Sequence, residues 1–528
     1  MSLEKVAHFW TTFGTFVCLI WLDRSDLSRH FTRMLKHLAL AALLVCPLAA
    51  QQSKSVEQEQ AKKKADEAWK EIDARPTPKW WTDAKFGIFI HWGPYSVPAY
   101  SKLGTYSEWY WMDLVNPKRK AHKEVKGFHD KNYGPLYTYP DFVEEFTCEM
   151  FDADQWAKTF QDSGAKYVVL TSKHHDGYCL WPSKEADDSW GRPWNSTNSG
   201  PGRDLVGELT EAVNKTDVKM GLYFSIYEWF NPLYVAKPSL FVDRVLVPQF
   251  KDIVKKYEPK VIFVDGEWDH PHPMWRSTEI LTWLFNETKV KDEVVINDRW
   301  GKGDRHKHGG YYTTEYGAGL PNADNPWEEN RGMAHSFGYS RTERFQDYNS
   351  SEKLVFMLID IVSRGGNFLL DIGPTADGRI PPLMEERLHD MGQWLKVNGE
   401  AIYDTTTHKP SEQWTDGKIE NPDFGRVYKA KYDVYKLLKA PDEGMARKEA
   451  LFTRKGDALY AICPIYPMEQ LILKNFTAAE GAKVTLLGHE GELKFQQEGS
   501  NLVIETPAVN PSSNSFQYAY TFKVSAVK

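Results

Sequence analysis

Val261-Ile262-Phe263-Val264-Asp265-Gly266 is a wholly apolar approach that ends in a carboxylate and a glycine. Four successive apolar positions, β-branched or aromatic, fit a strand covered on both faces, as in a parallel sheet. Asp265 then leaves a buried strand at its end. Such an aspartate either caps the following helix or faces a pocket.

Working outward, similar runs recur: FGIFIHWG (86–93), YVVLTS (167–172), MGLYFS (220–225), VVINDR (294–299), YYTTEY (311–316) and NFLLDIG (367–373). Helical stretches lie between them at 153–163, 204–214, 241–257, 277–285 and 352–363. Alternating β and α segments with this repeat count predict an irregular (β/α)8-like TIM barrel. A doubly wound sheet is the alternative, but no G-x-G-x-x-G follows any of the runs. The barrel is expected over 74–408, closed by a helix at 383–398. Beyond it, short runs such as DALYAICPI, KVTLLG, NLVIETP and YAYTFKVSAV predict a small C-terminal all-β sandwich over 409–528. Residues 411–450 carry no regular pattern.

In a (β/α) barrel the site gathers at the C-terminal strand ends. The runs end in His91-Trp92, His174-His175-Asp176, Tyr227-Glu228-Trp229, Asp265-Gly266-Glu267-Trp268, Asn297-Asp298-Arg299-Trp300 and Glu315-Tyr316. Polar and aromatic residues thus collect at one pole. Asp265 and Glu315, on different strands, suit glycoside hydrolysis, where one carboxyl attacks or activates water and the other protonates the leaving oxygen. His91, His174, His175 and Asp265 also raise a metal-dependent hydrolase. Adjacent histidines on one strand point to opposite faces, so neutral imidazoles bonding substrate hydroxyls fit better, and no metal or cofactor is expected.

The chain has 528 residues, a formal charge of −7 and 20 tryptophans. Mild acidity argues against a nucleic-acid binder. Many tryptophans suit either a large core or the flat faces of sugar rings. Trp92, Trp109, Trp229, Trp268 and Trp300 flank the strand-end residues and read as pocket walls or their backing; Trp80, Trp81, Trp283 and Trp394 read as core. Five cysteines are too few for a disulfide scaffold and fit no zinc spacing, though one disulfide stays open. Residues 1–50 form an N-terminal extension in which Met34-Leu35-Lys36-His37 precedes a short apolar run to Ala50, the pattern of a secretory signal peptide over about 34–50. A retained signal anchor is the alternative, but no stable membrane span is expected. Residues 51–73 are polar and helix-prone and read as a solvated lead-in helix or linker. Sequons at Asn195, Asn214, Asn286, Asn349 and Asn475 are candidate glycosylation sites. Together these features predict a glycoprotein of the secretory pathway, lysosomal or extracellular.

Several long motifs, in order, carry a resemblance: KFGIFIHWGPYSVPAYS, SEWYW, KYVVLTSKHHDGYCLWPS, GLYFSIYEWFNPLY, VDGEWD, VVINDRWG, HGGYYTTEY and RGGNFLLDIGPTADG. From about 74 to 403 the chain resembles the α-L-fucosidases of glycoside hydrolase family 29. KVTLLGHEGELKF (483–495) is similar to the C-terminal sandwich of the animal tissue enzymes. The resemblance implies a retaining exo-glycosidase that removes terminal α-L-fucose from fucosylated glycans, and it is compatible with a homo-oligomer. It implies Asp265 as nucleophile and Glu315 as acid/base. It further implies that His91, Glu108, Trp109, His174, His175, Tyr223 and Arg299 hold fucose. Phe263 replaces a frequent tryptophan, which keeps an aromatic wall and loses an indole N–H. The family's K-W-E-x-C signature stands here as Pro326-Trp327-Glu328-Glu329-Asn330, which makes Glu328 a second candidate acid, and Asp371 replaces an asparagine. A catalytically impaired fucose-binding protein on the same scaffold is the alternative function.

Overall fold

The computed structural model describes residues 59, 60, 62–510 and 517–528. The expected signal peptide and the extension before it lie outside the described residues. Eight strands build one parallel sheet: β1 (Phe86–Ile90), β2 (Tyr167–Lys173), β3 (Lys219–Ser225), β4 (Val261–Asp265), β5 (Val295–Ile296), β6 (Tyr312–Glu315), β7 (Trp327–Gly332) and β8 (Asn367–Ile372). Their order is β5-β4-β3-β2-β1-β8-β7-β6. The sheet curls until its edges meet, where Tyr311 N–H donates to Ile296 C=O at 3.1 Å. This is an irregular TIM-like barrel, and β5, only two residues long, is its weakest stave.

The strands are buried on both faces for a reason visible in β1. Ile88 and Ile90 pack outward under the helices, while Phe89 points inward. The interior is filled by Phe89, Tyr167, Val169, Tyr223, Phe263 and Tyr311. A short helix, Lys79–Ala84, contributes Trp81 to that filling, stacked 4.3 Å from Tyr311. The expected helices form at Ala153–Asp162, Leu205–Val213, Val247–Tyr257, Ser277–Glu287, Ser351–Ser363 and Pro382–Asn398.

Strand β7 escapes the periodicity argument. Trp-Glu-Glu-Asn-Arg-Gly reads as polar, yet every residue in it is buried. Most of its polar groups find partners inside the protein: Glu329 accepts from Gly317 N–H at 2.7 Å, and Asn330 Nδ2 donates to Thr314 C=O at 2.8 Å, while Asn330 Oδ1 and one Glu328 oxygen are left without one. A buried polar strand is tolerated when most of its groups find partners.

The C-terminal part is a sandwich. β9 (Thr406–Trp414), β10 (Lys448–Lys455), β11 (Ala458–Cys463), β13 (Val484–Leu486) and β16 (Tyr520–Val524) form one antiparallel sheet, ordered β13-β16-β11-β10-β9. β12 (Gln470–Leu473), β14 (Phe495–Glu498) and β15 (Asn501–Glu505) form the other. Strand alternation divides the work. Ala450 and Phe452 face the sandwich core, whereas Leu451 between them joins the barrel-side core. A buried ion cluster adds to that seam: Lys448 Nζ and Arg364 Nη2 each lie 2.7 Å from Asp360.

Two expectations need correction. The described part of the lead-in is helical but not simply solvated, because Trp69 and Ile72 are buried and Trp69 stacks 4.7 Å from His308. The disulfide left open does not form among the described cysteines, since Cys148, Cys179 and Cys463 are all buried free thiols. Among the described residues no helix is long and apolar enough to cross a membrane.

Candidate active site

The strand ends converge on a cavity of about 450 Å³. It is lined by His91, Glu108, Trp109, His174, His175, Tyr223, Phe263, Asp265, Arg299 and Glu315, so the structure brings all but one of the expected site residues together. Each has a local reason to be there. Asp265 closes β4, and the chain turns at once through Gly266 at φ +90°, where a Cβ would lie 2.6 Å from Tyr227. Register sets Tyr223 opposite Phe263 and Ser225 opposite Asp265 across β3 and β4.

The exception is Glu328, the second candidate acid. In the β6–β7 ladder it pairs with Thr313, while Asn330 pairs with Glu315. Two residues of strand place it roughly 6.6 Å deeper in the barrel. There it accepts from Tyr167 O–H at 2.5 Å and is wholly buried. Burial pushes its carboxyl up to about 8. Asn330 is the β7 residue that reaches the pocket.

Arg299 joins the two remaining carboxyls. Its Nη1 lies 2.9 Å from Asp265 Oδ1 and its Nη2 lies 3.4 Å from Glu315 Oε2. The guanidinium is held by Nε donating to Thr313 Oγ1 at 3.0 Å, and it lies 4.7 Å from the Phe263 ring centroid. Phe263 therefore supplies a cation–π backing. Both carboxyls are buried, yet their charge preferences diverge. Burial pushes Asp265 up, but Arg299, His175 and Arg305 outweigh it and hold the carboxyl well below its ordinary range. Burial also raises Glu315; Arg299 opposes the rise and the Asp265 charge adds to it, leaving the carboxyl above its ordinary value.

The partners of Asp265 are specific. Tyr223 O–H donates to Oδ2 at 3.1 Å, and His175 Nε2 faces the same oxygen at 3.5 Å. Ser225 Oγ donates its one hydrogen to Tyr227 C=O, so it accepts from His175 Nδ1 at 2.6 Å and fixes that ring. Glu315 accepts from Tyr106 O–H at 3.0 Å.

His91 and His174 also line the cavity. Burial lowers His91 to about 3 and His174 well below the imidazole range, so both are neutral. His91 Nδ1 contacts Asp371 Oδ1 at 2.6 Å, so Asp371, the departure at the asparagine position, orients this histidine. His174 and His175 lie past the end of β2, in a turn, and both line the cavity with ring centroids 4.2 Å apart. The alternation expected for adjacent strand residues does not apply there. His174 Nδ1 and Asn330 Oδ1 are buried without a protein partner, although the residues that carry them line the cavity. Such atoms suit substrate hydroxyls. Glu108 accepts from Gly338 N–H at 2.9 Å, and burial raises its carboxyl to about 8.

The tryptophans divide. Trp109 and Trp268 line the cavity, and Trp229 packs behind Trp109 at 5.0 Å. Trp92 and Trp300 are instead fully buried and anchored through their indole N–H groups to Thr375 and Asn297. Trp81 and Trp394 are core, while Trp80 is half-buried. Sequence reasoning missed Phe89, Tyr106, Asn330, Phe337, Arg426, Tyr428 and Lys429 as lining residues, and Arg305 beside Asp265. Phe89 and Asn330 lie inside quoted motifs and Tyr106 next to the S-E-W motif, which is the local signal that could have found them. Among the described residues no cluster of three or more His, Cys, Asp or Glu side chains is arranged to hold a metal.

The candidate glycosylation asparagines also differ. Asn195 is fully buried and its Nδ2 donates to Asp187 at 2.9 Å, which leaves a glycan no room. Asn349 is half-buried and donates to Met333 C=O. Asn214, Asn286 and Asn475 are exposed.

The chain is similar to known proteins over most of its length. Residues 52–400 match the family model described as alpha-L-fucosidase, and residues 445–525 match the alpha-L-fucosidase C-terminal domain. The chain is 39% identical to the tissue alpha-L-fucosidase of Homo sapiens over 499 residues, covering 92% of this chain and 97% of that one. It is 39% identical to the alpha-L-fucosidase of Dictyostelium discoideum, covering 87% and 95%. The crystal structure of Thermotoga maritima alpha-fucosidase with a mechanism-based inhibitor superposes with a TM-score of 0.69 at 31% identity, covering 86% of this chain and 98% of that one. The chain belongs to the α-L-fucosidases, glycoside hydrolases of family 29.

Proposed function

We propose that the protein is a retaining exo-α-L-fucosidase that works by double displacement. Asp265 attacks the anomeric carbon of a terminal α-L-fucosyl unit while Glu315 protonates the departing oxygen. Glu315, now a carboxylate, takes a proton from water, and that water releases fucose from Asp265 with net retention. The observation that carries this reading is the shared guanidinium. Arg299 contacts both carboxyls, yet one is held ionised and the other is raised. Divergent charge states on neighbouring carboxyls assign base and acid. Retaining pairs stand about 5–5.5 Å apart, a spacing compatible with two carboxyls on one fork.

In this reading His91, His174 and Asn330 meet the sugar hydroxyls, and Tyr223 and His175 hold Asp265 in line. Trp109, Phe263 and Phe337 wall the ring. The substrates are terminal fucosides of glycoproteins, glycolipids or oligosaccharides. We assign the protein to the secretory pathway, lysosomal or extracellular, from the N-terminal pattern and the exposed sequons at Asn214, Asn286 and Asn475.

Proton NMR of the first-formed product from an aryl α-L-fucoside tests the mechanism. Retention shows α-fucose first. β-Fucose first overturns double displacement, and no release from any fucosylated glycan favours the impaired binding protein instead.

A further inference from the structure

Residues 415–447 leave β9 and return to β10, which are neighbouring antiparallel strands. Such strands can be joined by a two-residue turn, so this long excursion is not needed for the sheet. Its middle runs to the mouth of the barrel, where Arg426, Tyr428 and Lys429 line the cavity. The backbone there extends the edge of β6. Glu315 N–H donates to Val427 C=O at 2.8 Å, and Lys429 N–H donates to Glu315 C=O at 2.9 Å. Tyr428 is fastened on both sides: its hydroxyl accepts from Trp268 Nε1 at 3.2 Å, and its ring centroid lies 4.7 Å from the Arg305 guanidinium.

These contacts set the excursion beside Glu315. A general acid must come within hydrogen-bond reach of the oxygen it protonates. The leaving portion of a fucoside seated on Asp265 therefore passes along residues 426–429. Two cations stand there without strong partners. Among the described residues the Arg426 guanidinium pairs only with Asp423, at 3.9 Å, and both side chains are about 60% exposed. An exposed pair of that kind is worth little. The Lys429 ammonium meets the Gly104 carbonyl at 3.5 Å and the Tyr106 ring at 4.6 Å, and makes no ion pair among the described residues. Two underused cations at the pocket mouth run against the chain's net charge of −7.

We propose that the 415–447 excursion forms the leaving-group subsite, and that Arg426 and Lys429 favour fucosides whose leaving portion carries an anion, a sulfate ester or a carboxylate. This rests on the assignment of Asp265 and Glu315 above. Tyr428 and Trp268 offer the apolar platform, and the cations read the charge.

The test compares kcat/KM on three matched glycans: a neutral fucosylated trisaccharide, the same glycan sulfated on the sugar next to fucose, and the same glycan carrying a sialic acid. The native protein is expected to favour an anionic glycan by about fivefold at low salt, with the preference shrinking as ionic strength rises. In the double variant Arg426→Gln, Lys429→Gln the ratio falls to parity, and Lys429→Arg retains it. Preference for the sulfated or the sialylated glycan alone names the anion that is read. Equal kcat/KM on all three, or a ratio unchanged in the double variant, overturns the subsite and leaves the fucosidase reading standing. No fucose from any glycan overturns both.

Discussion

Asp265 and Glu315 are the same functional group at the ends of two barrel strands, and the molecule treats them oppositely. Asp265 on β4 has Arg299 at 2.9 Å, Arg305 at 3.5 Å, the Tyr223 hydroxyl and the His175 ring around it. Glu315 on β6 has Arg299 only at 3.4 Å, one tyrosine hydroxyl, and the negative charge of Asp265 nearby. Burial penalises both. For Asp265 the cations win; for Glu315 burial and the neighbouring anion win. Solvent exposure alone does not separate the two carboxyls. The count and distance of partners do.

Three substitutions probe that contrast. Asp265→Asn keeps the shape and removes the nucleophile, so turnover of an aryl α-L-fucoside should fall by about 10⁴-fold or more; near-native turnover would remove Asp265 from the reaction. Glu315→Ala should cost about 10²–10⁴-fold on substrates with poor leaving groups and far less on activated aryl fucosides. An equal loss on both kinds would show that Glu315 does not deliver the proton. Glu328→Gln should change kcat least, within about twofold, because Glu328 lies outside the cavity. Its signature is in stability. Burial raises the folded-state value to about 8, above the ordinary 4.5. The native protein therefore loses stability from this group as pH rises from about 4.5 to about 8, because the unfolded chain ionises first. Glutamine does not titrate, so the Tm of the variant relative to native should rise across that interval. A flat difference would show that Glu328 is not buried as an acid.

Much of the architecture is legible in the sequence because parallel barrel strands must be apolar on both faces. Seven of the eight strands announce themselves that way, and the carboxylate, histidine or arginine that follows a run marks the catalytic end. β7 does not, because its burial depends on hydrogen bonds with Thr314 and Gly317, which no periodicity records. The same strand separates Glu328 from the cavity: the residue type suits an acid, but the β6–β7 register sets it one pleat deeper than Asn330, which lines the cavity.

Residues 415–447 mark where reading along the chain stops being informative. Arg426, Tyr428 and Lys429 lie in a segment without periodicity, about 110 residues after Glu315, and they reach the cavity through backbone bonds to Glu315 itself. The sequence by itself determined the barrel, the sandwich, the two strand-end carboxyls and most of the wall around them, because those depend on hydrophobic periodicity and on what stands at each strand end. Only the tertiary structure decided which partners surround each carboxyl and at what distance, that Glu328 stays out of the cavity, and that a loop of the sandwich lines the pocket. Those outcomes depend on register, on distances between charges and on contacts between residues far apart in the chain.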